Sequence, residues 1–169
     1  MILYHGSTME VSQPRIFKSE IGRDFGFAFY TTDIQAQAER WARRRAMIES
    51  RRAKAAIQPI VSVYEWDEEA AKQLRFLQFD GASMDWLELV VTCRSRTDYS
   101  HGYDIVEGKI ANDNVGETVS YVMQGIMRKE DAIERLRFER INNQIAFCTE
   151  IALRTLYFQN SYICGSVNP

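Results

Sequence analysis

The residues best suited to chemistry in this sequence lie in three short stretches that are far apart along the chain. His5–Ser7 follows an apolar start, Tyr30 belongs to an aromatic run that begins at Phe25, and Gln144 comes late in the chain. A histidine can hydrogen-bond a ligand hydroxyl, and a tyrosine ring can stack on a planar or cationic group. Each residue also has an ordinary interpretation, as a strand-end polar residue, a core aromatic or a strand residue beside a turn. Function therefore depends on whether the fold brings the three stretches together.

Other kinds of chemical site have little support in the sequence. His5 and His101 are the two histidines, and no metal-ligand spacing occurs, so we expect no metal. Cys93, Cys148 and Cys164 are odd in number and widely spaced, which fits a reducing compartment better than a disulfide framework. No glycine motif of the dinucleotide-fold or P-loop type is present, so a nucleotide would be held in some other way.

The composition is that of an ordinary globular protein. With 169 residues, 46% hydrophobic and 26% charged, the chain is expected to form a single domain over residues 1–169. The net charge of -2 indicates no particular partner. No apolar run reaches about 18 residues, and the start of the chain meets a polar residue too early for a signal-peptide core. We therefore expect no membrane span and a cytoplasmic protein.

Strand-like and helical patterns are mixed without strict alternation. Runs of β-branched and aromatic residues predict strands at these places: Ile2–His5, the stretch through Tyr30, Ile60–Trp66, Arg75–Leu77, Asp104–Gly108, Gln144–Cys148 and Leu156–Cys164. Helical spacing predicts helices at these places: Ile34–Ala55 capped by Thr32 or Asp33, an Asp67-capped helix through Leu74, Ser83–Cys93, Val115–Gln124 ended by Gly125, and Lys129–Ile141. This order favours an α+β fold.

The long helix that follows Tyr30 has an apolar face and a basic face. Trp41 is one of its regularly spaced apolar positions. A basic face is usually just solvated charge, and the alternative is a surface for an acidic partner or nucleic acid. The basic residues are Arg40, Arg43, Arg44, Arg45, Arg51, Arg52 and Lys54.

Taken together, four stretches resemble the ADP-ribosyltransferase superfamily. They are His5–Ser7, Asp24–Tyr30, Tyr103–Val106 and Gln144–Ile145, and they span almost the whole sequence. The likeness is to the histidine-tyrosine-glutamate branch, which includes diphtheria toxin and the poly(ADP-ribose) polymerases. Within that branch it is to a bacterial group described as a domain of unknown function. The resemblance implies a split β-sandwich whose cleft grips NAD in a folded conformation.

The resemblance also implies a catalytic triad of His5, Tyr30 and Gln144. His5 would hydrogen-bond ribose hydroxyls, and Tyr30 would stack on the nicotinamide ring and favour its transient positive charge. The nicotinamide bond would break through an oxocarbenium-like state, which negative potential near the ribose would stabilise. Providing that potential is the role of the third position.

The nicotinamide carboxamide has its own implied contacts. Gly6 would offer backbone groups to it, and Thr31 or Ser7 would complete its hydrogen bonds. The resemblance therefore implies an NAD-binding set made of His5, Gly6, Ser7, Tyr30 and Thr31.

Two positions depart from the pattern of the family. Ala28 replaces a glycine of the related group, and a methyl group is tolerable there unless the backbone needs a positive φ or very close contact with NAD. Gln144 stands where many transferases have glutamate. It keeps the hydrogen bonds to a ribose hydroxyl but carries no charge, so chain elongation is not expected and the transfer rate is expected to be reduced.

Two carboxylates are candidates for the missing charge. Glu150 lies roughly 20 Å from Gln144 along an extended strand, so it cannot reach the same site unless the chain turns back. The sequence does not restrict Glu107 in this way. His101 is expected to be a solvated loop residue, with contact to the acceptor substrate as the alternative.

The resemblance implies an NAD-dependent mono-ADP-ribosyltransferase, the toxin of a bacterial toxin-antitoxin or conflict system. Its acceptor would be an unidentified macromolecule, protein or nucleic acid, and an antitoxin protein would be a partner. One alternative is an NAD glycohydrolase that passes the ribosyl group to water. Another is an inactive module that binds NAD, an ADP-ribosyl group or a protein, which the neutral Gln144 and Ala28 would explain.

Overall fold

A computed structural model describes residues 1–19, 22–109, 113–136 and 142–165. Its strands are β1 Ile2–Ser7, β2 Phe29–Thr31, β3 Ile60–Trp66, β4 Phe76–Gln78, β5 Ile105–Lys109, β6 Asn143–Phe147 and β7 Leu156–Ile163. Its helices are α1 Gln35–Ala53, α2 Glu68–Ala71, α3 Met84–Ser95, α4 Asp113–Met123, α5 Lys129–Leu136 and α6 Glu150–Leu153. The expected α+β character is confirmed.

The strands form two sheets. One has the order β1-β3-β7 and is antiparallel; the other has the order β2-β6-β5-β4, in which β4 and β5 run parallel. A single bridge between Tyr4 and Thr32 joins β1 to the residue after β2. Tyr30 lies opposite Ala146 of β6, and Gln144 is two residues from Ala146. Because side chains alternate along a strand, Tyr30 and Gln144 share one face of the four-stranded sheet.

The two sheets pack face to face over a shared apolar core. Aromatic rings meet edge to face within it, as in the pair Trp66 and Phe147, whose ring centroids are 5.8 Å apart. The opposite face of the four-stranded sheet packs against a second core, which includes Trp86 and Leu87 of α3 and Val119 of α4. The core between the sheets contains, among others, Leu3, Phe29, Tyr64, Trp66, Ile105, Ile145 and Phe147.

Helix α1 packs directly on β1 because residue 6 is a glycine. A Cβ atom at Gly6 would lie 2.1 Å from the carbonyl oxygen of Ala38 and 2.9 Å from the backbone nitrogen of Ala42. No side chain fits in that space, so only glycine allows helix and strand to approach so closely. Gly6 therefore has a packing role that is independent of any ligand, and it brings α1 beside His5.

Most of the expected helices and strands are present, with shifted ends. Helix α1 begins at Gln35 and its N-cap is Ile34, which forms no side-chain cap hydrogen bond, so the expected cap at Thr32 or Asp33 was wrong. The hydroxyl of Thr32 accepts a hydrogen bond from the backbone of Ile34, 3.0 Å away. Gly125 ends α4 with φ 71°, as the sequence predicts. Helix α6 was not predicted, and the expected continuation of the helix at Lys129 over 137–141 lies outside the described residues.

Within the ranges that the structure covers, none of the helices is both long enough and apolar enough to cross a bilayer.

Candidate functional site

A groove of about 1040 Å³ lies between α1, β1, β2 and the segment that leads from β1 to β2. His5, Gly6, Ser7 and Tyr30 line it. A second cavity of about 20 Å³ is lined in part by His5, Tyr30 and Gln144, together with Gly6 and Thr31. The two cavities have five lining residues in common: His5, Gly6, Tyr30, Gln37 and Trp41. The three predicted triad residues therefore meet around the small cavity, which adjoins the groove.

His5 is held by the backbone of Tyr30. Its Nδ1 lies 2.7 Å from the Tyr30 carbonyl oxygen, and because a carbonyl can only accept, Nδ1 carries the proton. Burial lowers the pKa of His5 below its ordinary value of 6.5, the charge of Arg45 lowers it further, and the bond to Tyr30 opposes both effects. A neutral ring has an acceptor at Nε2. Since His5 lines the groove, it can accept a hydrogen bond from a ligand hydroxyl there.

The hydroxyl of Tyr30 is already occupied. It donates to the carbonyl oxygen of Gly26 at 2.5 Å and accepts from the backbone nitrogen of Phe25 at 3.2 Å. Burial, and then the charge of Asp24, raise the pKa of Tyr30 well above its ordinary value, so the phenol stays protonated. Tyr30 lines both cavities, and its hydroxyl is not available to a ligand in either of them.

The turn that receives the Tyr30 hydroxyl is fastened from two other elements. Gly26 has φ 78°, a backbone conformation that glycine adopts readily, so the expected turn is confirmed. Arg94 of α3 forms an ion pair with Asp24. His101 contacts the carbonyl oxygen of Phe25 through Nε2 at 3.0 Å and accepts from the Tyr103 backbone at Nδ1. The expectation of a solvated His101 was wrong, because this half-buried ring braces the turn.

Gln144 is almost fully buried, and the Oε1 atom of its side chain has no hydrogen-bond partner within the described chain. Neither candidate carboxylate supplies the charge that glutamine lacks. Glu107 bonds the side chains of Asn143 and Gln78 and lines neither cavity. Glu150 lies in the first turn of α6, beyond the far end of β6, and is exposed. The small cavity is therefore lined by neutral groups.

Thr31 and Ser7 differ in what remains available to a ligand. The Thr31 hydroxyl donates to the carbonyl oxygen of Ile145 at 3.1 Å, and Thr31 lines only the small cavity. Ser7 lines the groove. Of the two residues expected to complete the carboxamide contacts, Ser7 has the more accessible hydroxyl.

Ala28 lines the groove without backbone strain. Among the described residues other than glycine, Lys54 alone has a positive φ. The φ angle at position 28 therefore does not require glycine, and Ala28 is one of the residues that line the groove.

Two α1 residues of the site were not found from the sequence. Trp41 was expected on an apolar helix face, but it is 41% exposed and lines both cavities. Gln37 also lines both, and its Nε2 donates to the carbonyl oxygen of Asn143 at 2.9 Å. Gln37 and Trp41 are four residues apart, which puts both on one face of the helix, and this spacing is the sequence pattern that could have identified them.

The groove is strongly basic. Its described lining contains five arginines and one carboxylate, Glu10. Three of the arginines come from the basic face of α1, and two come from the segment before β2. Such a wall attracts phosphate groups, which arginine binds well. The arginines are Arg15, Arg23, Arg40, Arg44 and Arg45.

Comparison with protein-family models matches residues 1–158 to a family described as "Protein of unknown function (DUF3990)". The matched range contains His5, Tyr30 and Gln144. Among curated proteins and among solved structures, none matches this chain.

Proposed function

The chain belongs to the DUF3990 family, and from that premise and the geometry of the groove we propose that it is an NAD-dependent mono-ADP-ribosyltransferase. It cleaves the bond between nicotinamide and ribose and transfers ADP-ribose to a macromolecule. One observation carries the proposal: His5, Tyr30 and Gln144, from three separate strands, border one small cavity beside an arginine-lined groove.

The architecture supports the proposal. Two sheets pack over one core, and β1, β2 and β6 each contribute one residue of the triad. This arrangement is what a split β-sandwich of the ADP-ribosyltransferase type needs. NAD would enter between α1 and the segment that joins β1 to β2.

Each part of NAD has a matching part of the groove. The Tyr30 ring stacks on nicotinamide, and Ser7 and the Gly6 backbone bind its carboxamide. Nε2 of neutral His5 accepts from a ribose hydroxyl. The arginines of the groove wall neutralise the two phosphates, which have no glycine-rich loop to hold them.

The neutral cavity predicts slow chemistry. An oxocarbenium-like state gains most from negative charge close to the ribose, and within the described residues no carboxylate lines the small cavity. Gln144 can orient the ribose without supplying that charge. This observation favours single transfer over chain elongation. It also supports two alternative functions, an NAD glycohydrolase and a module that binds NAD without turnover.

The biological setting is a proposal from the resemblance. We expect the toxin of a bacterial toxin-antitoxin or conflict system, acting in the cytoplasm on a protein or nucleic acid, with an antitoxin protein as partner. Such a partner or acceptor would contact the basic wall of the groove.

The test uses NAD labelled in two places, in nicotinamide and in the adenylate, incubated with purified protein and cell extract. Transfer of adenylate label to a macromolecule, lost in Tyr30→Ala, is the expected result. Tyr99→Ala, which removes a partly exposed tyrosine outside both cavities, is the control. Nicotinamide release without macromolecular label would select the glycohydrolase, and calorimetric binding of NAD without turnover would select the binding module. A wild-type protein that neither binds NAD nor turns it over would overturn the proposal.

A further inference from the structure

Two buried carboxamides face the small cavity with unused acceptors. Gln37 of α1 and Gln144 of β6 are each 3% exposed. In both, Oε1 has no hydrogen-bond partner within the described chain, and both residues line the same space of about 20 Å³. An unpaired buried acceptor is costly, and two beside one cavity are unusual. A ligand that donates hydrogen bonds within this space would satisfy these acceptors.

The orientation of the Gln37 amide follows from its neighbour. Its nitrogen lies 2.9 Å from the carbonyl oxygen of Asn143, which can only accept, so the amide NH₂ faces Asn143 and the oxygen is the free atom. Asn143 is itself held, because its side-chain nitrogen donates to Glu107 at 2.9 Å. Gln37 therefore presents a fixed acceptor, supported by the residue directly before Gln144.

The character of the missing donor follows from the size and charge of the cavity. A space of this volume holds about one water molecule, which could bridge the two oxygens in the free protein. No charged side chain within the described ranges lines it, so an ammonium group would not be compensated there. Neutral hydroxyl groups on neighbouring carbons match this set best.

We propose that Gln37 is a substrate-binding residue that accepts a hydrogen bond from one hydroxyl of the nicotinamide ribose, while Gln144 accepts from the other. This inference rests on the proposed function, and it makes the carboxamide pair the feature that selects ribose over deoxyribose. Gln37 lines the groove as well as the cavity, so a ligand lying in the groove can reach it.

The test measures calorimetric affinity for NAD and for its 2′-deoxy and 3′-deoxy nicotinamide-ribose analogues. The wild type should bind NAD about tenfold more tightly than either analogue, since one hydrogen bond is lost each time. Gln37→Met should bind NAD about tenfold more weakly and should no longer distinguish NAD from one of the two analogues. Gln144→Met should lose the discrimination against the other analogue.

Gln35→Met is the matched control, because Gln35 is exposed on the same helix and lines neither cavity. It should keep the full preference for NAD.

Three results would overturn the inference. The first is a wild type that binds NAD and both deoxy analogues equally, a result that needs no variant to fold. The second is Gln37→Met discriminating as the wild type does, which overturns the role of Gln37 while NAD binding and the proposed function stand. The third is a wild type that binds neither NAD nor its analogues, which overturns the proposed function and this inference together.

Discussion

The two ends of the site differ in how their polar groups are satisfied. At one end, the Tyr30 hydroxyl has two backbone partners, and Arg94 and His101 fasten the turn that it contacts. At the other end, the side-chain oxygens of Gln37 and Gln144 have none in the described chain. Buried groups with complete partners stabilise a fold, whereas unpaired ones mark where a ligand or water is needed. We call the end around the Tyr30 hydroxyl the supporting end and the end with Gln37 and Gln144 the binding end.

The largest expected effect separates the Tyr30 ring from its hydroxyl. Tyr30→Ala removes the stacking surface and should reduce nicotinamide release by about 100-fold, since aromatic stacking contributes about 1–3 kcal/mol and its loss also disorders the site. Tyr30→Phe keeps the ring, so its turnover should stay within a few fold of the wild type. The loss of two hydrogen bonds should cost Tyr30→Phe about 1–2 kcal/mol in the free energy of unfolding.

Initial rates of nicotinamide release and urea denaturation of both variants measure the two effects. If Tyr30→Phe is as inactive as Tyr30→Ala, the hydroxyl takes part in the chemistry. The supporting end would then belong to the reaction, and the comparison between the two ends would fail.

The next effect concerns the contact that places Gln37 at the binding end. Gly6→Ala forces a methyl group against the backbone of Ala38, so the free energy of unfolding should fall by about 3 kcal/mol, with weaker NAD binding because α1 shifts. Gly116→Ala is the control. Gly116 lies within α4, has no atom within 4 Å of an added Cβ, and should gain stability from a better helix former. Equal stability of Gly6→Ala and wild type would contradict the packing role.

A smaller effect should separate stability from binding at the two ends. His101→Ala removes the hydrogen bond to Phe25 and should lower the free energy of unfolding by about 1 kcal/mol, with NAD affinity changed less than twofold. Gln37→Met should instead bind NAD about tenfold more weakly in the same calorimetric assay. A His101→Ala protein that keeps wild-type stability but loses NAD affinity would show that the brace is part of the binding site.

The smallest effect is a pH dependence at His5. Its pKa in the folded protein lies below the ordinary 6.5, so the unfolded chain binds the proton more readily. The contribution of neutral His5 to stability is therefore complete above pH 6.5 and is lost as the pH falls through that value toward the lower folded pKa. NAD affinity should fall once Nε2 is protonated, because the acceptor disappears. His5→Asn, compared with wild type across this range, should flatten both dependences, and an unchanged slope would contradict the role of Nε2.

Local patterns in the sequence predicted much of the fold. The strand at Ile60–Trp66 appears with the predicted ends, and Gly26 and Gly125 occupy the positive-φ positions that their turns require. Helix α6 was missed because four residues, Glu150–Leu153, are too short to show a period. Trp41 was assigned to an apolar face because helical spacing reveals a face but not what covers it.

The sequence by itself determined the α+β character, the order of the elements other than α6, and three stretches that contain the candidate site residues, because periodicity and turn chemistry are local properties. Only the tertiary structure decided which side chains are paired and which face a cavity. Gln37 donates to a residue 106 positions away, and the room beside its free oxygen depends on α1 lying against Gly6. Such contacts depend on the packing of distant segments, which spacing along the chain does not encode.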